Sequence, residues 1–257
     1  MRLVRTARTA AHVAEALATT TFVFPWLEVP TKQRLIRRWS LRLLRILRVE
    51  ARVHGLPDGG LPGNLLIVAN HISWLDIFVL NTLQPARFVA KSELRRWPVV
   101  GHLIAGVGTL FIERGRRRDT HSVNRHAADV LTRGDVIAIF PEGTTTDGRE
   151  VLPFHGSLLQ PIVDAGGHVQ PVAIRYRKAT GEHNDAPAYV GETSFLASFW
   201  RVTGERTLVV ELHVAPPLPA HARHRRELSR AAEAAIRTAL ASPADDREPG
   251  TRADRGT

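Results

Sequence analysis

Leu65-Leu66-Ile67-Val68-Ala69-Asn70-His71-Ile72-Ser73-Trp74-Leu75-Asp76 contains the transition around which the chain is organised. Its first five residues are apolar without alternation, the pattern of a strand covered on both faces. Trp74 to Leu83 then reads as a short helix with Ser73 as its N-cap, which leaves His71 in the turn between strand and helix. Two residues five apart on one regular helix point about 140° away from each other. A non-helical turn at His71 lets the imidazole swing back towards Asp76. A neutral imidazole, oriented by a carboxylate on its other nitrogen, takes a proton from a hydroxyl. Alone, the two residues are equally compatible with a capping aspartate beside an unrelated loop histidine.

Outward from this stretch, strands and helices alternate. Strands are predicted over Ala51–His54, Leu65–Ala69, Arg87–Val89, Thr109–Ile112, Val136–Phe140, Val169–Tyr176 and Thr207–Val214. Helices are predicted over Trp74–Leu83, Pro98–Ala105, Thr120–Thr132, Ser157–Ala165, Ser194–Val202 and Arg225–Leu240. Unalternating runs such as Val136-Ile137-Ala138-Ile139-Phe140 argue for an α/β fold, a mixed and mostly parallel sheet flanked by helices. At 257 residues and 44% hydrophobic, with nothing resembling a linker in the middle, the chain reads as one α/β domain from residue 50 to 242. Beyond Ser242, Pro, Asp, Arg and Gly predict a disordered tail over 243–257.

Residues 1–49 read differently. Ala10 to Leu27 forms a helix interrupted near Pro25, and Thr31 to about Val49 a second one. On the second, Leu35, Ile36, Trp39, Leu43, Ile46 and Leu47 share one face, opposite Arg34, Arg37, Arg38, Arg42, Arg45 and Arg48. A face charged with one sign only, opposite Leu, Ile and Trp, predicts an amphipathic two-helix segment that docks on a membrane interface. The competing reading is an ordinary helix packed on the core with its charges in solvent. His12, Glu15 and Thr19 to Thr21 break the apolar region that a signal peptide needs, so the segment is expected to be retained. No run of eighteen apolar residues predicts a membrane span.

The formal charge of +10, almost wholly from arginine, asks for an anionic partner. Helix-turn-helix, zinc-finger and aromatic RNA-binding signatures are missing, so an anionic membrane is favoured over nucleic acid. The absence of cysteine removes disulfides, thiolate metal sites and a cysteinyl acyl-enzyme, and fits a reducing compartment. No Gly-x-Ser-x-Gly, metal-ligand cluster or phosphate loop is present, so the sequence implies no metal and no cofactor.

Three further stretches have the composition of active-site parts. Gly108-Thr109-Leu110-Phe111-Ile112-Glu113-Arg114 is a strand ending in a cation, placed to clamp a phosphate. Phe140-Pro141-Glu142-Gly143-Thr144-Thr145-Thr146-Asp147-Gly148 is a buried strand running into a Gly- and Thr-rich loop, where α/β sheets place ligands. Its N–H groups and hydroxyls suit an oxyanion or phosphate, and equally a plain polar turn. Val169-Gln170-Pro171-Val172-Ala173-Ile174 is a strand with a proline near its start, structural on its own terms.

Taken together, the four stretches resemble the glycerolipid acyltransferase family, typified by 1-acylglycerol-3-phosphate acyltransferases. The His-x4-Asp block is matched by His71 and Asp76, and Gly-x-x-Phe-Ile-x-Arg by Gly108, Phe111, Ile112 and Arg114. Phe-Pro-Glu-Gly-Thr is matched from Phe140 to Thr144, and a Val-x-Pro-Val-like strand by Val169, Pro171 and Val172. Lys91 is similar to the lysine between the first two blocks, and the N-terminal helices are similar to the family's membrane-docking pair.

The resemblance implies acyl transfer from acyl-CoA or acyl carrier protein to a lysophospholipid hydroxyl, at the cytoplasmic face of the cell membrane. His71 would be the base and Asp76 its partner. Arg114 and Lys91 would bind the acceptor phosphate with Glu142, Gly143 and Thr144, and Pro171 would shape the acyl-side wall. The third block departs from the family pattern, with Thr145-Thr146 where Arg-Ser is usual. A guanidinium is thus exchanged for a hydroxyl, which leaves open a less anionic acceptor such as a lyso-ornithine lipid. A non-catalytic protein that binds anionic lipid, and a hydrolase that activates water with the same histidine, are the other readings.

Overall fold

The computed structural model describes residues 1–112 and 117–242. Seven strands form the body of one sheet: β1 Val49–His54, β2 Leu65–Ala69, β3 Arg87–Lys91, β4 Leu110–Ile112, β5 Val136–Ile139, β6 His168–Lys178 and β7 Leu208–Val214. They lie in the order β1-β7-β6-β2-β5-β3-β4, and a two-residue β8, Leu218–Pro219, pairs with β6. Only the β6–β7 and β6–β8 pairings are antiparallel. The carboxyl ends of β2, β3, β4 and β5 therefore share one edge of the sheet, where the loops following β2 and β5 meet.

The sheet is mixed, mostly parallel and covered on both faces, as the apolar strands require. One face carries Leu65, Ile67, Ala69, Ile174, Tyr176 and Leu212, packed under α2 (Val29–Leu47), α3 (Asp76–Leu83) and α7 (Phe195–Gly204). The other carries Leu66, Val68, Ile137, Ile139, Val169 and Ala173 under α5 (Arg117–Thr132), α6 (Gln160–Ala165) and α8 (Arg225–Ala241). α4 (Val100–Gly106) connects β3 to β4.

Two expectations about local structure are corrected. Helix α3 begins at Asp76, not Trp74, and Leu75 rather than Ser73 occupies the N-cap position. The cause is the Asp76 carboxylate, which accepts the backbone N–H groups of Ile72 and Ser73 and pulls the preceding residues into a tight non-helical turn. The N-terminal helix α1 runs from Arg2 to Ala18, and the chain then bends through irregular helical turns over Thr19–Val23 and Phe24–Trp26. Pro25 in the second of these turns lacks the N–H that a continuing helix needs.

Helix α2 forms as predicted, with Pro30 in its first turn. The C-terminal half of its apolar face is covered by the protein: Leu43, Leu44, Ile46 and Leu47 are buried, packed over the sheet and against α3. The arginines are exposed, with Arg42 paired to Glu15 at 2.7 Å and Arg37 Nε donating to the Thr82 carbonyl at 3.0 Å. Leu35, Ile36 and Trp39, earlier on the same face, are only half-buried. Among the exposed large apolar side chains, two groups lie in the bend after α1 (Phe22, Val23, Trp26) and in the segment before and into α4 (Trp97, Val99, Val100). Among the described residues no helix is long and apolar enough to cross a membrane. The predicted tail, 243–257, lies outside the described residues.

Candidate active site

Strand β2 ends at Ala69, and Asn70 continues its hydrogen-bonding ladder with a side chain in place of a backbone. The buried Asn70 amide donates to the Ile174 carbonyl at 3.0 Å and accepts the Ile174 N–H at 2.7 Å. This releases the main chain from β6 while keeping it pinned at the sheet edge, and His71 follows at the point of departure. Its carbonyl accepts the N–H of Thr146 at 2.8 Å, and its own N–H donates to Glu142 Oε1 at 2.7 Å. The turn after β2 is thereby fastened to the loop after β5.

His71 and Asp76 meet as the turn demands. His71 Nδ1 lies 2.8 Å from Asp76 Oδ2, with the carboxylate fully buried and the imidazole 21% exposed. That oxygen also accepts the Ile72 and Ser73 N–H groups at 2.7 and 2.9 Å. The second oxygen, Oδ1, accepts the Tyr176 hydroxyl at 2.7 Å. Four donors on one buried carboxylate compensate the loss of water that would otherwise disfavour its charge. The imidazole stacks on Phe140, centroids 3.9 Å apart and 10° from parallel, with Phe88 stacked behind. With Nδ1 engaged by the carboxylate, Nε2 is the ring nitrogen left to face a substrate.

Glu142 uses both carboxylate oxygens on backbone: Oε1 on His71 N–H and Oε2 on Leu152 N–H at 2.8 Å. Burial pushes its carboxyl above the usual carboxylate range, against the pull of those two N–H groups. Its visible work is to hold the His71 turn. Gly143 takes the left-handed conformation (φ +73°) that closes the turn back onto the Phe140 carbonyl, and Thr144 is exposed beyond it. The Thr145 hydroxyl donates to the Tyr189 carbonyl, so this side chain is committed to the neighbouring segment.

Two of the other expected residues, Lys91 and Pro171, sit on strands of the sheet beside β2 and beyond it. Lys91 is exposed at the carboxyl end of β3, with β5 between it and β2. Pro171 is paired in register with Val68 and lies on the sheet face of Val169 and Ala173, opposite that of Tyr176. Arg114 lies outside the described residues. Among the described residues no group of three or more His, Asp or Glu is placed to hold a metal ion. Sequence reasoning passed over Asn70, Phe140 as a stacking partner, and Tyr176. The alternation Val172, Ile174, Tyr176 along a buried strand was a usable signal, because a buried phenol needs a polar partner.

The family model for Acyltransferase matches residues 50–175, which spans β1 through most of β6 and every residue of this constellation except Tyr176. The lyso-ornithine lipid O-acyltransferase of Pseudomonas aeruginosa is 40% identical over 93% of this chain and 93% of its own length. The chain belongs to the Acyltransferase family. The 1-acyl-sn-glycerol-3-phosphate acyltransferase of Neisseria gonorrhoeae is 36% identical over 74% of this chain and 75% of its own. In fold, this acyltransferase is similar to the crystal structure of the 1-acyl-sn-glycerophosphate acyltransferase from Thermotoga maritima. The TM-score is 0.63 at 22% identity, covering 93% of this chain and 96% of that one.

Proposed function

We propose that this acyltransferase is a membrane-surface enzyme that moves a fatty acyl chain from acyl-CoA or acyl carrier protein to the hydroxyl of a lysolipid. The observation that carries the reading is the 2.8 Å contact between His71 Nδ1 and the buried Asp76 carboxylate, which leaves Nε2 as a proton acceptor. The acceptor hydroxyl loses its proton to Nε2 as its oxygen bonds to the thioester carbon. The C–S bond then breaks, and the proton passes from Nε2 to the departing thiolate. Asp76 stabilises the imidazolium in between. No enzyme nucleophile is required.

The acceptor expected from the family blocks is 1-acylglycerol-3-phosphate, with Arg114, Lys91, Gly143 and Thr144 around its phosphate and Glu142 bracing the loop beneath. A second reading, a lyso-ornithine lipid, is favoured by Thr145, an uncharged residue turned onto Tyr189 where the family carries a cation. It is favoured too by the relative matched along 93% of both chains.

Peripheral membrane association is supported by the apolar edge after α1. Phe22 and Trp26 are 72% and 86% exposed, well beyond what a solvated surface gains from such side chains. Thr21 Oγ1 lies 2.8 Å from His102 Nε2, which draws this bend onto α4, beside exposed Trp97, Val99 and Val100 and the cations Arg95 and Arg96. That arrangement lies next to the carboxyl end of β3, the sheet edge that also carries His71.

The test is acyl transfer from one labelled acyl-CoA to a panel of lysolipids, with purified wild-type and His71→Ala protein. Transfer by the wild type and none by the variant is expected. Full activity in the variant refutes the mechanism, and thioester left intact with every acceptor favours a lipid-binding protein without catalysis.

A further inference from the structure

The two oxygens of Asp76 face different partners. Oδ2 receives His71 and two backbone N–H groups, all from the turn after β2. Oδ1 receives the phenol of Tyr176, a residue from another strand and about a hundred positions away in the chain. Tyr176 is fully buried among the apolar residues beneath α2 and α3. Burial and the adjacent carboxylate push the phenol well above its ordinary range, so it keeps its proton and remains a donor at every working pH. Strand β6 is held at the required height by the two Asn70–Ile174 hydrogen bonds, two residues before Tyr176. The same strand therefore anchors the turn that carries His71 and the carboxylate that orients it.

A neutral donor on Oδ1 draws carboxylate charge away from Oδ2, the oxygen that faces the imidazole. We propose that Tyr176 is a positioning residue for the acyl transfer described above, one that fixes the Asp76 carboxylate and sets the pH at which His71 takes up a proton. The charged or titratable groups around the pair are Tyr176 from β6, His71 and Asp76 themselves, and Glu142 from the loop after β5. Of these, Tyr176 alone can be altered by one oxygen without touching the imidazole or the backbone of its turn.

The experiment follows the His71 ring nitrogens by NMR, assigned by their loss in His71→Gln, and does not depend on turnover. In Tyr176→Phe the carboxylate loses its donor, its full charge faces the imidazole, and the pair holds its proton to higher pH. The ring titration, and with it the acid limb of kcat/KM, should move up. The chain has only two tyrosines, so biosynthetic replacement by 3-fluorotyrosine labels Tyr176 and Tyr189 alone. Fluorotyrosine is the stronger donor and should move the same midpoint down, and a Tyr189→Phe background isolates the contribution of Tyr176. This arm keeps the hydroxyl and the shape, and so stands if Tyr176→Phe does not fold.

Opposite shifts in the two arms establish the coupling, since a merely structural role lowers thermal stability without moving the titration. A ring titration unmoved in both arms, or moved in the same direction by both, overturns it. If the titration shifts as expected while the wild type transfers no acyl chain, the proposed reaction falls and the Tyr176 coupling stands.

Discussion

Replacing Asp76 by Asn tests the charge of the catalytic pair while leaving most of its geometry in place. The amide oxygen can occupy the position of Oδ2, where it still accepts the Ile72 and Ser73 N–H groups and His71 Nδ1–H. Its NH2 group then faces Tyr176, whose hydroxyl turns to accept instead of donate. What disappears is the negative charge opposite an imidazolium. Taking the charge centres as about 4 Å apart in surroundings of effective dielectric near 20, that interaction is about 4 kcal/mol. The imidazole is 21% exposed, so part of this is screened. A residual of about 3–4 kcal/mol corresponds to a loss of about 10² to 10³ in rate.

Stability should fall by less, about 1–3 kcal/mol, because the backbone bonds to this side chain weaken rather than vanish. The assay is initial-rate acyl transfer at saturating donor and acceptor, paired with thermal unfolding and repeated in a His71→Ala background. Residues that act as one unit are not additive, so the double variant should be no slower than His71→Ala alone. The acid limb of the remaining activity should move to lower pH, since the proton is no longer held by a carboxylate. Asp76→Asn retaining more than a third of wild-type kcat would refute the reasoning. So would a double variant well below His71→Ala.

Other outcomes follow from the same structure. His71→Ala should abolish transfer with the unfolding midpoint nearly unchanged, and wild-type kcat/KM should fall on the acid side as the imidazole protonates. Asn70→Leu leaves the Ile174 N–H and carbonyl buried without their partners, and should cost about 2–4 kcal/mol in chemical denaturation together with most of the activity. Burial alone would raise the Glu211 carboxyl, but the His213 ring 3.6 Å away and the Arg177 guanidinium bonded to it at 2.9 Å outweigh burial and hold it at about 2. Its stabilisation is therefore complete above its unfolded value of 4.5 and is lost as pH falls from there towards 2. Denaturant titrations should show on the order of 2–3 kcal/mol of such acid sensitivity, absent in Glu211→Gln. Phe22→Ser with Trp26→Ser should weaken flotation with anionic vesicles at least tenfold while leaving turnover of a short-chain soluble acceptor intact. Undiminished flotation would move the contact elsewhere.

How much of this was legible before the fold was seen depends on whether a residue's role is local. The strands read well because β2 and β5 are buried on both faces, and apolar runs of that length have few other solutions. The His71–Asp76 pair was legible for the same reason: the strand end, the turn and the carboxylate fall within one short stretch. The start of α3 was misread because Ser73 has the chemistry of an N-cap, and indeed accepts the Leu75 N–H, while nothing nearby shows that the Asp76 carboxylate takes the Ile72 and Ser73 N–H groups and holds the chain before it in a turn. The amphipathic stripe on α2 was seen correctly, but the share of it that the protein itself covers was not. Periodicity gives the width of an apolar face and says nothing of whether lipid or protein will cover it; here α3 and the sheet cover its C-terminal half.

Tyr176 and Asn70 mark where sequence reading stops, and the reason is topological. Asn70 acts across the β2–β6 seam and Tyr176 reaches from β6 to the start of α3, each between positions about a hundred residues apart, so no window along the chain contains both partners. The seam exists because β6 inserts beside β2 and turns antiparallel to β7 on its other side, an arrangement set by the packing of the whole sheet. The same insertion brings a phenol and a peptide unit against the turn that carries His71 and the carboxylate beside it. A substitution in β6 that keeps its apolar pattern but shifts its register by one residue would exchange the face of Tyr176 with that of Arg175. It would strip Asp76 of its second partner and place a guanidinium beneath α2. The geometry of the His71–Asp76 pair thus depends on strand register as much as on the residues of the His-x4-Asp block.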